Sequence, residues 1–274
     1  MTGSERRPTD DAIQTVAAAL TKSKRYATVA PDVVHRLAER ALVSAGGNVT
    51  EGVKRTKRSL HEIYGAYLPG SAAQYGGMLR QLRAALDQGE DAVTEALRSA
   101  MSAHASSRER LPYLTEFYAQ ALAGVTPETV SDLACGLNPL AVRWMGLPAG
   151  CTYLASDIDA RQMEFLDEAL DLLGVPHRTR LHDLVDGPGE SAEVTLLLKT
   201  VPCMERQQSG AGWALLEKVR SPTLIVTFPT KSLGQRSKGM FQTYSTAFEE
   251  YAADRTWRYE RFEIPNELVY VIRR

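Results

Sequence analysis

The sequence predicts an α/β fold: a Rossmann-like sheet, mostly parallel with an antiparallel last strand, preceded by an all-helical N-terminal domain. Three observations predict it. Up to about residue 124, apolar residues recur at helical spacing. Beyond Gly124-Val125-Thr126-Pro127, short apolar runs alternate with helical segments, the order of a doubly wound sheet. The last two runs, Tyr259–Ile264 and Leu268–Ile272, alternate in polarity and lie close together, as an antiparallel pair does.

The helices come first. Ile13, Val16, Ala17 and Leu20 mark one over Asp11–Tyr26. Pro31 suits the first turn of a second helix, whose stripe is Val33, Val34, Leu37, Ala38, Leu42 and Val43 and whose end is Gly46-Gly47. A third, over Glu51–Leu68, carries Lys54, Arg55, Lys57 and Arg58 within one and a half turns. Further helices are expected over 72–87, 90–104 and 107–123. Ser106-Ser107-Arg108-Glu109 offers a Ser-x-x-Glu capping box for the last of these. The expected organisation is a basic helical domain over 1–70, a second helical subdomain over 71–124 and an α/β domain over 125–274.

In the α/β domain, strands are expected at Thr129–Ala134, Thr152–Ser156, Val194–Leu198 and Thr223–Phe228, before the terminal pair. Val194–Leu198 is continuously apolar, as a buried parallel strand is. Helices fit at 139–146, 160–173, 209–219 and 237–253. The terminal pair separates a methyltransferase sheet from a dehydrogenase sheet.

The chain has 274 residues, 44% hydrophobic and 24% charged, a globular composition. No apolar run reaches the roughly 20 residues that span a bilayer, and Met1–Asp10 lacks the apolar stretch of a signal peptide. A cytoplasmic protein with no membrane partner is expected. The net charge of -1 conceals an asymmetry: residues 1–70 hold 11 Lys and Arg against 7 Asp and Glu, a surplus of four. A basic segment of this kind suits an anionic partner, or is an ordinary solvated face. Cys135, Cys151 and Cys203 fit no zinc spacing and read as reduced thiols in or near the core. A catalytic Cys203 would lack any base that the sequence supplies. No metal is expected.

In such sheets the ligand lies beyond the carboxyl ends of the strands, at the switch point. The first strand runs into Ala134-Cys135-Gly136-Leu137-Asn138-Pro139. Ala134 and Gly136 allow close approach of a ligand, Asn138 suits an N-cap and Pro139 a first helical position. The loop is not the Gly-x-Gly-x-x-Gly of a pyrophosphate site, whereas S-adenosylmethionine carries no phosphate. Asp157, 25 residues beyond Asp132 at the end of the second strand, can accept both ribose hydroxyls. Capping the next helix suits Asp159 better. Asp183 falls where a third-strand loop belongs; it can accept from an adenine amino group while Leu184 packs on the ring, or the segment is a surface turn.

The stretches from Leu133 to Ala141, Ala155 to Asp159, Leu196 to Thr200 and Thr227 to Gly234 are distinctive. So are Lys54-Arg55-Thr56-Lys57-Arg58, the segment His61 to Tyr67, and Arg108-Glu109-Arg110-Leu111-Pro112. Together, from about residue 20 to the C-terminus, they resemble the aminoglycoside-resistance 16S rRNA methyltransferases that act on N7 of guanine 1405. The likeness is to the self-protection branch of antibiotic producers more than to the plasmid-borne branch. The resemblance implies an S-adenosylmethionine-dependent enzyme acting on the decoding site of the 30S subunit, and Arg110 on the cofactor carboxylate. His104, Ala105 and Ser106 would line the methionine end, Leu198 and Gln208 would close the pocket, and Lys54, Arg55, Lys57 and Arg58 would contact rRNA phosphates. A monomer is the expectation.

Guanine N7 already holds an in-plane lone pair, so its methylation needs positioning rather than a base. The N7 edge is hard to reach in A-form RNA, so a flipped base is expected. Lys199, just past the fourth strand, would then hold the guanine or a neighbouring phosphate, and Glu205 would accept from the base. Lys231, Arg236 and Lys238 would grip phosphates. Met240 would pack on an exposed base, or belong to the core. Two other classes remain open at this level: a small-molecule methyltransferase with a helical lid, and a non-catalytic rRNA-binding or assembly protein.

Overall fold

A computed structural model describes residues 8–68, 74–231 and 239–274. Its first unit is a helical bundle: α1 (Asp10–Thr21), α2 (Pro31–Ser44) and α3 (Val49–Leu60). Thr9 and Asn48 cap α1 and α3 by accepting from Ala12 N and Glu51 N, and Pro31 opens α2. Val16, Leu20, Val33, Leu37, Leu42 and Leu60 form its own core. The first helix stops at Thr21, short of Tyr26, which folds back into that core. The third passes at His61–Gly65 into a π turn, closed by Ala66 N on His61 O at 2.7 Å. Tyr64, within this turn, reaches Asp159 of the α/β part, and π turns are frequent at functional sites.

Next come α4 (Gln74–Leu86), α5 (Glu90–Ser102), α6 (Ala105–Arg110) and α7 (Leu114–Ala121). The helix expected over 107–123 is thus interrupted by a 3-10 turn, Leu111–Tyr113, where Pro112 cannot donate. The capping box does not form: His104 is the N-cap of α6 and no side chain caps it. Leu79, Leu97, Met101, Phe117 and Tyr118 pack into one core with Val130, Leu196 and Ile225 of the sheet.

The sheet contains β1 (Thr129–Leu133), β2 (Thr152–Asp157), β3 (His177–Leu181), β4 (Val194–Leu198), β5 (Thr223–Pro229), β6 (Arg258–Ile264) and β7 (Glu267–Arg273). Their order is β3-β2-β1-β4-β5-β7-β6, with β7 antiparallel to both neighbours and the switch point between β1 and β4. β3 gave no apolar run because it is an edge strand, largely exposed, with sequence His-Arg-Thr-Arg-Leu. A seven-residue 3-10 run, Asn138–Trp144, follows β1 in place of an α-helix. Asn138 is not its cap; that place belongs to Leu137, and the Asn138 side chain points to buried partners instead.

Four more helices flank the strands: α8 (Ala160–Leu172), α9 (Thr200–Gln207), α10 (Ala211–Lys218) and α11 (Met240–Ala253). Asp159 caps α8 through Arg161 N at 3.0 Å, the role the sequence assigned to it. The α9 helix was not anticipated. No helix among the described residues is long and apolar enough to cross a membrane.

The helical bundle is tied over the carboxyl edge of β2. Ala30 N donates to Ile158 O at 2.8 Å and Ala160 N to Thr28 O at 2.9 Å. Tyr64 donates its hydroxyl to Asp159, and Arg36 of α2 reaches Asp183.

Candidate active site

A cavity opens beyond the carboxyl ends of β1, β2 and β4. Its floor is the loop after β1, where the chain must turn sharply: Ala134 has φ 53° and Gly136 φ 54°. Gly136 N donates to Asp157 Oδ2 at 2.8 Å, which binds that loop to the end of β2. A Cβ at Gly136 would stand 2.7 Å from the His104 ring, so only glycine leaves the ring where it is. Asp157 also accepts from Ile158 N at 2.7 Å and lines the cavity. Burial raises its pKa, and the two backbone N–H groups work against the rise.

Ile63, Tyr64 and Tyr67 of the N-terminal unit roof the cavity. The His104 ring stacks on Tyr67 with centroids 5.9 Å apart, and His104 Nδ1 has no partner. Burial, with Arg110 close by, lowers the His104 pKa to about 4, so the ring is neutral at pH 7.

Arg110 is fully buried and lines the same cavity. Its Nη1 donates to Asn138 Oδ1 at 3.1 Å and its Nη2 to Glu267 Oε1 at 2.6 Å, while Nε is unpartnered. Asn138 in turn donates to Asp132 at 2.8 Å, and Tyr153 donates to the same carboxyl oxygen at 2.7 Å. Burial pushes Asp132 up to about 7.

Lys199 follows β4 in a left-handed conformation, φ 59°, which turns its side chain into the cavity. Its Nζ lies 2.6 Å from Glu109 and 3.6 Å from Glu267. Burial opposes charge on Glu267, yet Arg110 and Lys199 hold its carboxyl below the usual range.

The structure therefore brings His104, Ser106, Arg110, Ala134, Gly136, Asp157, Asp183, Leu184, Leu198 and Lys199 to one cavity. Ala105 is buried but does not line it; Ser107 does. Gln208 is displaced by one position. It is exposed beyond the end of α9, and Gln207 faces the cavity. Glu205 is elsewhere: its carboxylate accepts from Gly210 N, Gly212 N and Trp213 N at 2.8, 2.7 and 3.3 Å, closing the start of α10. Base recognition by Glu205 would cost those three bonds. Cys203 lines the cavity, but its thiol is pushed up by burial and its neighbour is the Tyr67 hydroxyl, which is no base.

Lys54, Arg55, Lys57 and Arg58 are all exposed on α3, with Thr56 buried between them. Arg55 and Arg58 pair with Glu51 and Glu62, each at 3.0 Å. Lys231 is exposed and Met240 half-buried at the start of α11. Arg236 and Lys238 lie outside the described residues. Among the described residues, no cluster of His, Cys, Asp and Glu could hold a metal ion.

Sequence reasoning missed the Tyr64 and Tyr67 roof and Glu267. A charged residue heading the apolar run Leu268–Ile272 was the available signal for Glu267.

A family model described as ribosomal RNA methyltransferase (FmrO) matches residues 22–271. The 16S rRNA (guanine(1405)-N(7))-methyltransferase of Frankia casuarinae is 60% identical, over 99% of this chain and 96% of its own. The enzyme of that name from Micromonospora echinospora is 58% identical, over 97% and 98%. The crystal structure of the 16S rRNA methyltransferase RmtF in complex with S-adenosyl-L-homocysteine is 34% identical, with TM-score 0.82 over 97% of this chain and 99% of that one. This breadth of match, over the same strands and loops that build the cavity, places the chain in the ribosomal RNA methyltransferase (FmrO) family.

Proposed function

We propose that this enzyme transfers the methyl group of S-adenosylmethionine to N7 of guanine 1405 in 16S rRNA, within the 30S subunit, and thereby confers aminoglycoside resistance. One observation carries the reading most directly: Asp157 and Arg110 line a single cavity whose β1 loop is built for close backbone approach. The cofactor suits what is there. Arg110 has a buried Nε without a partner, positioned to receive a carboxylate in a charge-assisted bond. Asp157 would accept the ribose hydroxyls, and Asp183 with Leu184 would take the adenine. Leu198 and Gln207 would close the pocket. When bound, the cofactor supplies an electrophilic methyl group on a sulfonium.

The protein's own work is then to orient and to exclude water. No base is needed at N7, and the neutral His104 and protonated Cys203 are consistent with that. Lys199 would hold the flipped guanine or a phosphate next to it. Lys54, Arg55, Lys57 and Arg58 would dock the 30S subunit by phosphate contacts, with Lys231, Arg236, Lys238 and Met240 gripping the RNA nearer the site. The enzyme works as a cytoplasmic monomer on this reading. Labelled S-adenosylmethionine offered with 30S subunits, free nucleosides or aminoglycosides tests it. Label should enter the 30S subunit alone; label in a small molecule would contradict the proposal.

A further inference from the structure

We propose that Glu267 is a positioning residue that sets the charge of the cofactor cavity, raising affinity for the sulfonium cofactor relative to its uncharged thioether product. The inference rests on the cofactor reading above and assigns a task to a residue outside the cavity lining. Glu267 opens β7, opposite Pro229 of β5, with 1% of its side chain exposed. One carboxylate oxygen receives Arg110 at 2.6 Å and the other faces Lys199 at 3.6 Å. Arg110 and Lys199 both line the cavity, so Glu267 stands behind two cations that a ligand meets. Glu109 also pairs with Lys199, but it is 32% exposed and can turn to water. Glu267 has no such route, so its charge stays in the wall.

The chemistry of the ligand makes this charge selective. S-adenosylmethionine carries an ammonium, a carboxylate and a sulfonium, net one positive charge. In methyl transfer the sulfur–methyl bond breaks and its electron pair remains on sulfur, so the product is neutral overall. Without Glu267, Arg110 would lose its buried carboxylate partner and Lys199 would keep only the partly exposed Glu109, so this part of the wall would resist a further cation, the more so in a cavity of low dielectric. Glu267 offsets it. Both ligands share the nucleoside, the ammonium and the carboxylate, so any change in the aim of Arg110 acts on both alike. Only charge at sulfur separates them.

The test is titration calorimetry of S-adenosylmethionine and S-adenosylhomocysteine against the full chain, Glu267→Gln and Lys199→Met. Glu267→Gln should lose about tenfold more affinity for the sulfonium than for the thioether, given the Coulomb energies of partly buried pairs. Lys199→Met, which removes a cation from the same group, should shift the ratio the other way. It decides the matter alone if Glu267→Gln does not fold. Equal changes for both ligands would reduce Glu267 to a structural support and overturn the proposal. If the unmodified chain binds neither ligand, the cofactor reading itself fails and takes this inference with it.

Discussion

Arg36, on α2 of the helical bundle, donates to Asp183 Oδ2 at 2.5 Å and to Gln207 Oε1 at 3.0 Å, so one guanidinium joins the bundle to two residues of the cofactor cavity. The other oxygen of Asp183 accepts from Val185 N at 3.1 Å, which leaves the carboxylate held from both sides. The bundle carries the basic face of α3, so this contact joins that face to the Asp183 end of the cavity.

Replacing Arg36 with alanine should therefore weaken cofactor binding although Arg36 is not itself expected to touch the cofactor. Truncating one member of a partly buried charge pair releases the other, and an increase in Kd of about fivefold to tenfold is expected. Calorimetry on Arg36→Ala and Asp183→Ala, singly and together, checks it. Additive losses would mean the two residues act independently.

Lys199 and Glu205 should part company when mutated. Lys199→Ala should lower methylation of 30S subunits by about a hundredfold or more without weakening the cofactor, in line with a residue that positions the substrate. Glu205→Gln should lower the melting temperature, since capping bonds of this kind are worth about 1 kcal/mol. Its kcat per folded molecule should stay within about threefold, because the carboxylate is committed to α10. Loss of kcat in a fully folded Glu205→Gln would restore its expected role at the base.

Asp132 gives a pH signature. Its folded-state pKa is about 7, against an unfolded carboxyl near 3.8. Between those values the unfolded chain has released a proton that the folded chain still holds, so stability falls as pH rises from about 4 to 7. Above 7 the penalty is constant. Asp132→Asn keeps the neutral form, so its stability relative to the parent should improve across that window and then level off. His104 has the opposite sign: its pKa is depressed from 6.5 to about 4, so its stabilising contribution is lost as pH falls through that interval. The two partly cancel in the parent, and the difference between the denaturation curves of Asp132→Asn and the parent isolates the first. A pH-independent difference would show that the carboxyl is not protonated in the folded state.

Much of this was legible in the sequence because the determining residues are local. Ala134 and Gly136 announce a tight turn by their size, and Asp157 sits at the end of a strand marked by an apolar run. The Ser106–Glu109 capping pattern misled, and the bonds of Glu205 were not foreseen, because a side chain's partner is chosen by tertiary packing: Glu205 turned to α10, and Glu109 to Lys199. Gln208 was misplaced by one residue because α9, which follows Lys199 directly, had no strong periodic signal. β3 escaped because an exposed edge strand need not be apolar. Glu267 and the Tyr64–Tyr67 roof are far from the cavity loops along the chain, and only the fold brings them there.

Arg55 and Arg58 are exposed and pair with Glu51 and Glu62 along α3 and its end, contacts that contribute little to stability, while Arg55 also donates to Ser44 O at 2.8 Å at the end of α2. Changing both to glutamate should lower the melting temperature modestly, through loss of the Arg55–Ser44 contact, and cut 30S affinity of the folded protein by at least about tenfold, with a flatter dependence on salt. Filter binding across a salt series checks this. Unchanged affinity would remove α3 from the docking surface.

The most direct test of the enzymatic account is the position of the new methyl group. 16S rRNA from 30S subunits treated with the enzyme and S-adenosylmethionine can be reduced with borohydride and cleaved with aniline, which cuts at N7-methylguanine. A single new cut at guanine 1405, absent without cofactor and lost in Lys199→Ala, is the expected result. A cut at another guanine, or none, would contradict it.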